Sequence, residues 1–185
     1  MAEQDTLTQS IQLPSKISAP PALMGAERYQ YASMAIFIKE HCVTNGVIFD
    51  IGCGNGLIGA KIAHVADSAL IQADLFDNRD QDLKNSDVPF ILLARDKPPQ
   101  FDSRYHSTAD TILLVNVLQH VIYPGLSPLD SKIKFLESLI PLLKPSGKIL
   151  IDISHSSGNL LRTDDHLREL INQNETLKKT IIFSQ

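Results

Sequence analysis

Short apolar runs alternate with amphipathic stretches along most of the chain. Val47–Ile51 (VIFDI), Ala69–Ala73 (ALIQA), Pro89–Ala94 (PFILLA), Ala109–Val117 (ADTILLVNV) and Lys148–Ile153 (KILIDI) are mostly apolar and set off by polar or turn-forming residues, which predicts buried strands. Helical periods lie between them. In Ala26–Cys42, residues Tyr31, Met34, Ala35 and Ile38 fall on one stripe before Asn45-Gly46 breaks the pattern. Leu57–Ala66 and Ser131–Leu143 read likewise, with Pro141 expected to kink or tighten the last turn of the second. The stretch NRDQDLKNSD, ahead of the third run, is polar enough for a solvated helix or a loop. Strands separated by helices imply right-handed crossovers and a mostly parallel sheet covered on both faces, so the expected fold is α/β, a three-layer sandwich.

The two ends differ from this middle. Residues 1–25 are polar and then rich in proline and small residues (SKISAPPALMG), which predicts a flexible arm or a loop laid over the body, with 26–185 as the domain proper. After the last of the five runs come a loop (SHSSGNLLRTDD), a helix-like stretch from His166 to Asn174 and a strand-like run from Lys179 to Phe183.

Composition narrows the function classes. A chain of 185 residues suits one domain, and 43% hydrophobic with 21% charged residues is ordinary globular usage. A net charge of -4 gives no chain-wide attraction to phosphate backbones, so nucleic acid is not favoured as a partner. No basic start leads into a long apolar block, and no apolar run approaches the roughly 18 residues of a spanning helix. A cytoplasmic protein without membrane attachment is expected. The two cysteines, Cys42 and Cys53, are too few for a disulfide framework or a zinc cage and read as free thiols; no metal site is expected.

The candidate chemistry starts at DIGCGNGLIG, Asp50 to Gly59. A glycine-rich turn between strand and helix lets backbone approach a ligand closely, and the helix start offers unpaired N–H groups. Two cofactor classes use that geometry. Gly54, Gly56 and Gly59 match GxGxxG, and Asp74 lies about 20 residues on, as a dinucleotide site requires. Asp50 weighs the other way, because a carboxylate at the strand end repels a pyrophosphate but favours an ammonium such as that of S-adenosylmethionine.

At this point a family resemblance enters. D-I-G-C-G-N-G resembles motif I of the class I S-adenosylmethionine-dependent methyltransferases, and further matches follow in that family's order over roughly Val47–Ile153. The resemblance implies a Rossmann-like methyltransferase sheet and S-adenosyl-L-methionine as cofactor. It implies cofactor contacts from Asp50, Gly52, Cys53, Gly54, Asn55 and Gly56. Asp74 with Leu75, in IQADLFD, would hold the ribose hydroxyls, with Asp77 as the rival acid; Asp96, in LLARDKP, would lie beside the adenine amino group. ADTILLVNVLQHV resembles the fourth-strand motif, which sets Asn116 and Val117 beneath the cofactor and Gln119 or His120 near the transfer site. FLESLIPLLKPSGKILI is similar to the family's helix, turn and fifth strand, with Ser146 in place of a glycine.

His120 is the candidate general base, since histidine titrates near neutral pH; a polar residue without that role is its structural alternative. His106 and His155 are weaker candidates. Tyr29 or Tyr31 could close over the cofactor, and Arg28 could meet its carboxylate, though core packing and solvent exposure account for such residues equally. Gly59 is read as permitting helix-on-strand packing. The chain lacks a D/N-P-P-Y/F signature, and a small-molecule methyl acceptor is the default. The family usually has two further strands, often antiparallel, where one is evident here. That predicts a shortened C-terminal edge, which a homo- or hetero-oligomeric partner could complete. A catalytically silent partner subunit and an NAD(P)-dependent oxidoreductase stand as the other readings.

Overall fold

The computed structural model describes residues 16–17, 19, 22–152 and 161–184. Most of the predicted N-terminal arm, much of the SHSSGNLLRTDD loop and His155 lie outside the described residues.

Six strands form one all-parallel sheet in the order β3-β2-β1-β4-β5-β6. The chain runs α1 (Gly25–His41), β1 (Val47–Ile51), α2 (Leu57–Val65), β2 (Ala69–Asp74), α3 (Gln81–Lys84), β3 (Phe90–Leu92) and β4 (Ala109–Val115). It continues through α4 (Pro128–Leu139), β5 (Leu143–Asp152), α5 (Leu161–Gln173), α6 (Glu175–Thr180) and β6 (Ile181–Phe183). Parallel neighbours require crossovers, which is why a helix stands between most successive strands.

The strands alternate their side chains between two apolar layers. Val47, Phe49 and Ile51 of β1 join Leu114 and Ile149 in a cluster covered by Phe135, Leu136 and Leu139 of α4 and by Leu167 and Ile171 of α5. Ile48 and Leu70 face the other way, against Met34 and Ile38 of α1 and Ile62 of α2. The period of two along each strand therefore decides which helix a residue meets.

Several predicted boundaries shift for physical reasons. The polar stretch before β3 supplies only the four-residue helix α3, started by Asp80, whose side chain accepts from the Asp82 N–H. Ser127 caps α4, accepting from the Asp130 N–H, so that helix begins three residues ahead of the apolar stripe. Pro141 falls in a tight 3₁₀ turn, Ile140–Leu142, as its missing donor requires. The helix-like stretch after the fifth strand begins at Leu161 rather than His166. The run from Lys179 divides, its first two residues ending α6 and Ile181–Phe183 forming β6.

Lys16 and Ile17 are laid over the body. Lys16 Nζ meets Asp67 Oδ2 at 2.7 Å and Asn45 Oδ1 at 3.1 Å, while Ile17 packs in the α1–α2 layer. Among the described residues, no helix is long and apolar enough to cross a membrane, and no group of acids, histidines and cysteines could hold a metal ion.

Candidate functional site

The topology places a crevice at the carboxyl ends of β1 and β4, where the strand order turns back, as open α/β sheets generally do. A cavity of about 650 Å³ opens there. Gly52 stands at the end of β1, Asp74 and Leu75 at the end of β2, Asp96 beyond β3, and Asn116 and His120 beyond β4. Those six are expected site residues, drawn from four strand ends and brought to one wall.

Asp74 is tied to the glycine turn. Its Oδ2 accepts from the Gly54 N–H at 2.7 Å and its Oδ1 from the Leu75 N–H at 2.6 Å. These bonds fix the carboxylate at the mouth of the crevice. Asp77, the rival acid, is absorbed elsewhere: both its oxygens accept from Arg79, at 2.9 and 3.1 Å. That fork holds the Asp77 carboxyl below the usual carboxylate range, and Arg79 in turn lies over the Phe90 ring at 4.7 Å. Asp77 does not line the cavity.

Asp50 lies behind the crevice rather than in it. It shares a strand face with Ile48, so its side chain turns toward α2, where the absent side chain of Gly59 makes room for the carboxylate. A Cβ at Gly59 would overlap Asp50 Oδ2. Asp50 is only 4% exposed, and one of its oxygens accepts from Gln72 Nε2 at 3.2 Å. Burial pushes its carboxyl up to about 7, with the Gln72 hydrogen bond opposing and the charge of Asp74 reinforcing the shift.

The rest of the glycine loop forms the frame. Gly56 sits at φ +78°, and a Cβ there would come within 2.7 Å of Gln72 Nε2, which donates to the Gly56 carbonyl at 2.8 Å. Only glycine meets both conditions. Asn55 accepts from the Leu57 N–H at 3.2 Å and donates to Glu27 of α1 at 2.9 Å, so it caps α2 and ties the loop to α1. Cys53, Gly54, Asn55 and Gly56 do not line the cavity. Burial, followed by the charges of Asp50 and Asp74, pushes the Cys53 thiol upward, which leaves no ready thiolate.

Asn116 holds a left-handed conformation at φ +56°, a backbone state that costs free energy for a residue with a Cβ and that asparagine tolerates best. Its backbone N–H donates to the Asp152 carbonyl at 2.9 Å. His120 is exposed on a short helical turn, Leu118–His120, and lines the cavity. Tyr29 is 79% exposed; Arg28, Tyr29 and Tyr31 do not line the cavity. Three residues that sequence reasoning passed over matter here: Gln72, signalled by a lone amide in an apolar strand, and Tyr123 and Phe135, which carried no signal.

No family model matches the chain, and no curated protein matches it. Solved structures do. A Pyrococcus horikoshii protein superposes with a TM-score of 0.57 at 17% identity, covering 86% of this chain and 65% of its own. A Burkholderia thailandensis 1,6-didemethyltoxoflavin N1-methyltransferase, solved with its substrate and S-adenosylhomocysteine, superposes at 0.53 with 20% identity, covering 72% and 55%. The chain has a Rossmann-like methyltransferase fold. A structure of a Rhodobacter sphaeroides zinc-dependent alcohol dehydrogenase also superposes, at 0.52 with 15% identity over 90% and 58%. The chain spans between about half and two thirds of the length of these structures. Within this Rossmann-like methyltransferase fold, β6 pairs directly and in parallel with β5, so the described residues show a C-terminal edge of one strand instead of an antiparallel pair.

Proposed function

We propose that the chain is an S-adenosylmethionine-dependent methyltransferase acting on an oxygen, nitrogen or carbon atom of a small molecule. The observation that carries this reading is the Asp74 carboxylate, fixed at the crevice mouth by the Gly54 and Leu75 amides. Two adjacent hydroxyls on a ribose suit such an acceptor. A pyrophosphate suits it poorly, since it would lie over a loop flanked by Asp74, with one α2 amide already taken by Asn55. The strand order and an acid at Asp74 both suit a dinucleotide fold as well; what favours the methyltransferase is that the Gly54 amide a pyrophosphate would need is already taken by Asp74, together with the likeness to a methyltransferase solved with S-adenosylhomocysteine.

When bound, S-adenosylmethionine supplies a methyl group already activated on a sulfonium. Asp74 with Leu75 would hold the ribose, Asp96 the adenine edge, and Gly52 and Asn116 the backbone walls beside the methionine part. Asp50 would act at one remove, through the placement of α2 and the loop. A hydroxyl or amine acceptor loses a proton as its new bond to carbon forms, and His120, which lines the cavity, would take it. An oligomer through β6 belongs to the same reading, because its outer side pairs with no described residue.

Calorimetric titration with S-adenosylhomocysteine and with NAD(P) tests the cofactor: binding of the first and not the second is expected, and the reverse would sink the proposal. Replacing His120 with Ala while retaining full turnover would remove it as the base.

A further inference from the structure

Tyr123 packs its ring in the core and keeps its hydroxyl accessible. The residue is 7% exposed and belongs to the apolar cluster of Val121 and Phe135. Its hydroxyl nevertheless makes no hydrogen bond with a described residue. The hydroxyl oxygen itself is not shut off from water although the ring is packed, and phenylalanine would fill the same ring space without a polar group to offer.

The surroundings point to a reason. Tyr123 lines the same cavity as Asp74 and His120, so what remains exposed of it opens toward the ligand site. Its position is fixed: the Tyr123 N–H donates to Ser131 Oγ at 3.0 Å, and that hydroxyl donates to the Ser127 carbonyl at 2.9 Å, at the start of α4. Burial pushes the phenol up to about 12, so it stays a neutral donor through the physiological range. The neighbouring walls, Pro99, Val121 and Phe135, offer apolar contact only.

We propose that Tyr123 is a ligand-binding residue, its hydroxyl hydrogen-bonding a nitrogen or oxygen on the otherwise apolar part of the ligand that rests against Val121 and Phe135. The inference rests on the methyltransferase reading. Two sources supply that chemistry, the adenine of the cofactor and the methyl acceptor.

Wild type and Tyr123→Phe are compared by calorimetry with S-adenosylhomocysteine. By ligand-observed NMR with that nucleoside saturating, they are compared with phenol, indazole and quinoline as probes. Unliganded Tyr123→Phe should melt close to wild type, because the hydroxyl makes no hydrogen bond with a described residue and is not shut off from water. Affinity should fall about five- to tenfold in one arm. A loss toward S-adenosylhomocysteine identifies adenine as the partner; a loss confined to the aromatic probes identifies the acceptor. Unchanged affinity for S-adenosylhomocysteine, with the probes either equally bound or not bound by wild type, overturns the proposal. So does a variant that melts several degrees lower, since the hydroxyl would then serve the fold. Failure of wild type to bind S-adenosylhomocysteine sinks the methyltransferase reading and this inference with it, which is a different result from intact binding that Tyr123→Phe leaves untouched.

Discussion

Gln72 on β2 stands beside Asp50 on β1 in the parallel ladder, and its amide donates both to Asp50 Oδ2 at 3.2 Å and to the Gly56 carbonyl at 2.8 Å. One fully buried side chain therefore braces the acid behind the loop and the last glycine of the turn. Gln72→Leu keeps the volume roughly but strips partners from both oxygens. Asp50 Oδ2 loses this donor whereas the Gly56 carbonyl keeps the Ala60 N–H at 3.1 Å, and one unpaired buried acceptor costs about 1–3 kcal/mol, so chemical unfolding should show a loss of about that size. Titration with S-adenosylhomocysteine should show weaker binding as the turn loosens. A variant as stable as wild type would show that the bridge does not hold the loop.

The buried Asp50 carboxyl makes stability depend on pH with a definite sign. Its folded value, about 7, exceeds the ordinary 3.8, so the folded state holds the proton more tightly than the unfolded chain. Its contribution to stability is therefore fully present below the lower value and is lost as pH rises through the upper one. Over that window the change is on the order of a few kcal/mol. Asp50→Asn, which cannot ionise, should gain on wild type between about pH 4 and pH 7 and then run parallel to it. Urea unfolding of both proteins at several pH values checks this; a constant difference across the range would mean Asp50 is charged throughout.

Gly59 and Asp50 are a matched pair. Adding one methyl at Gly59→Ala drives it into the Asp50 carboxylate, so α2 must move outward. Overpacking of this kind costs about 1–3 kcal/mol. Asp50→Ala frees the space, so the double variant should be more stable than the sum of the single effects by about 1 kcal/mol or more. Strict additivity in thermal or urea unfolding would show that the two positions do not touch.

The sheet was largely legible because its signal is local: apolar runs such as VIFDI and ALIQA, punctuated by Asn45-Gly46 and the glycine turn, mark strands whatever they pack against. Their parallel pairing also followed, since strands separated by helices are joined by crossovers. The direction of a functional side chain was harder to read. Asp50 was expected to meet a cationic ligand, yet the period of two along β1 turns it toward α2, and only the pairing with Gly59 reveals that. The division of α6 from β6 was hidden because Lys179 and Thr180 suit either state and Asn174, capping α6, lies upstream of the apolar run. Tyr123 and Phe135 reach the cavity through the tertiary placement of α4 and the loop before it, for which no spacing rule exists.

Asp74 and Asp77 offer the sharpest separation of binding from folding, because the chain presents two acids three residues apart and the structure commits them differently. Asp74 lines the cavity and, among the described residues, accepts from backbone amides, whereas Asp77 is forked by the buried Arg79. Asp74→Asn keeps the shape but turns one acceptor into a donor, so either the Gly54 or the Leu75 N–H loses its partner; affinity for S-adenosylhomocysteine should fall about tenfold or more, while melting drops less than in Asp77→Asn. Asp77→Asn leaves the Arg79 guanidinium short of its charged partner in a mostly buried setting, so melting should drop while affinity changes little. Differential scanning fluorimetry and calorimetry on the same two variants decide the matter. If Asp77→Asn is the one that abolishes binding, the ribose acid has been misplaced, and Asp74 serves only to hold the turn.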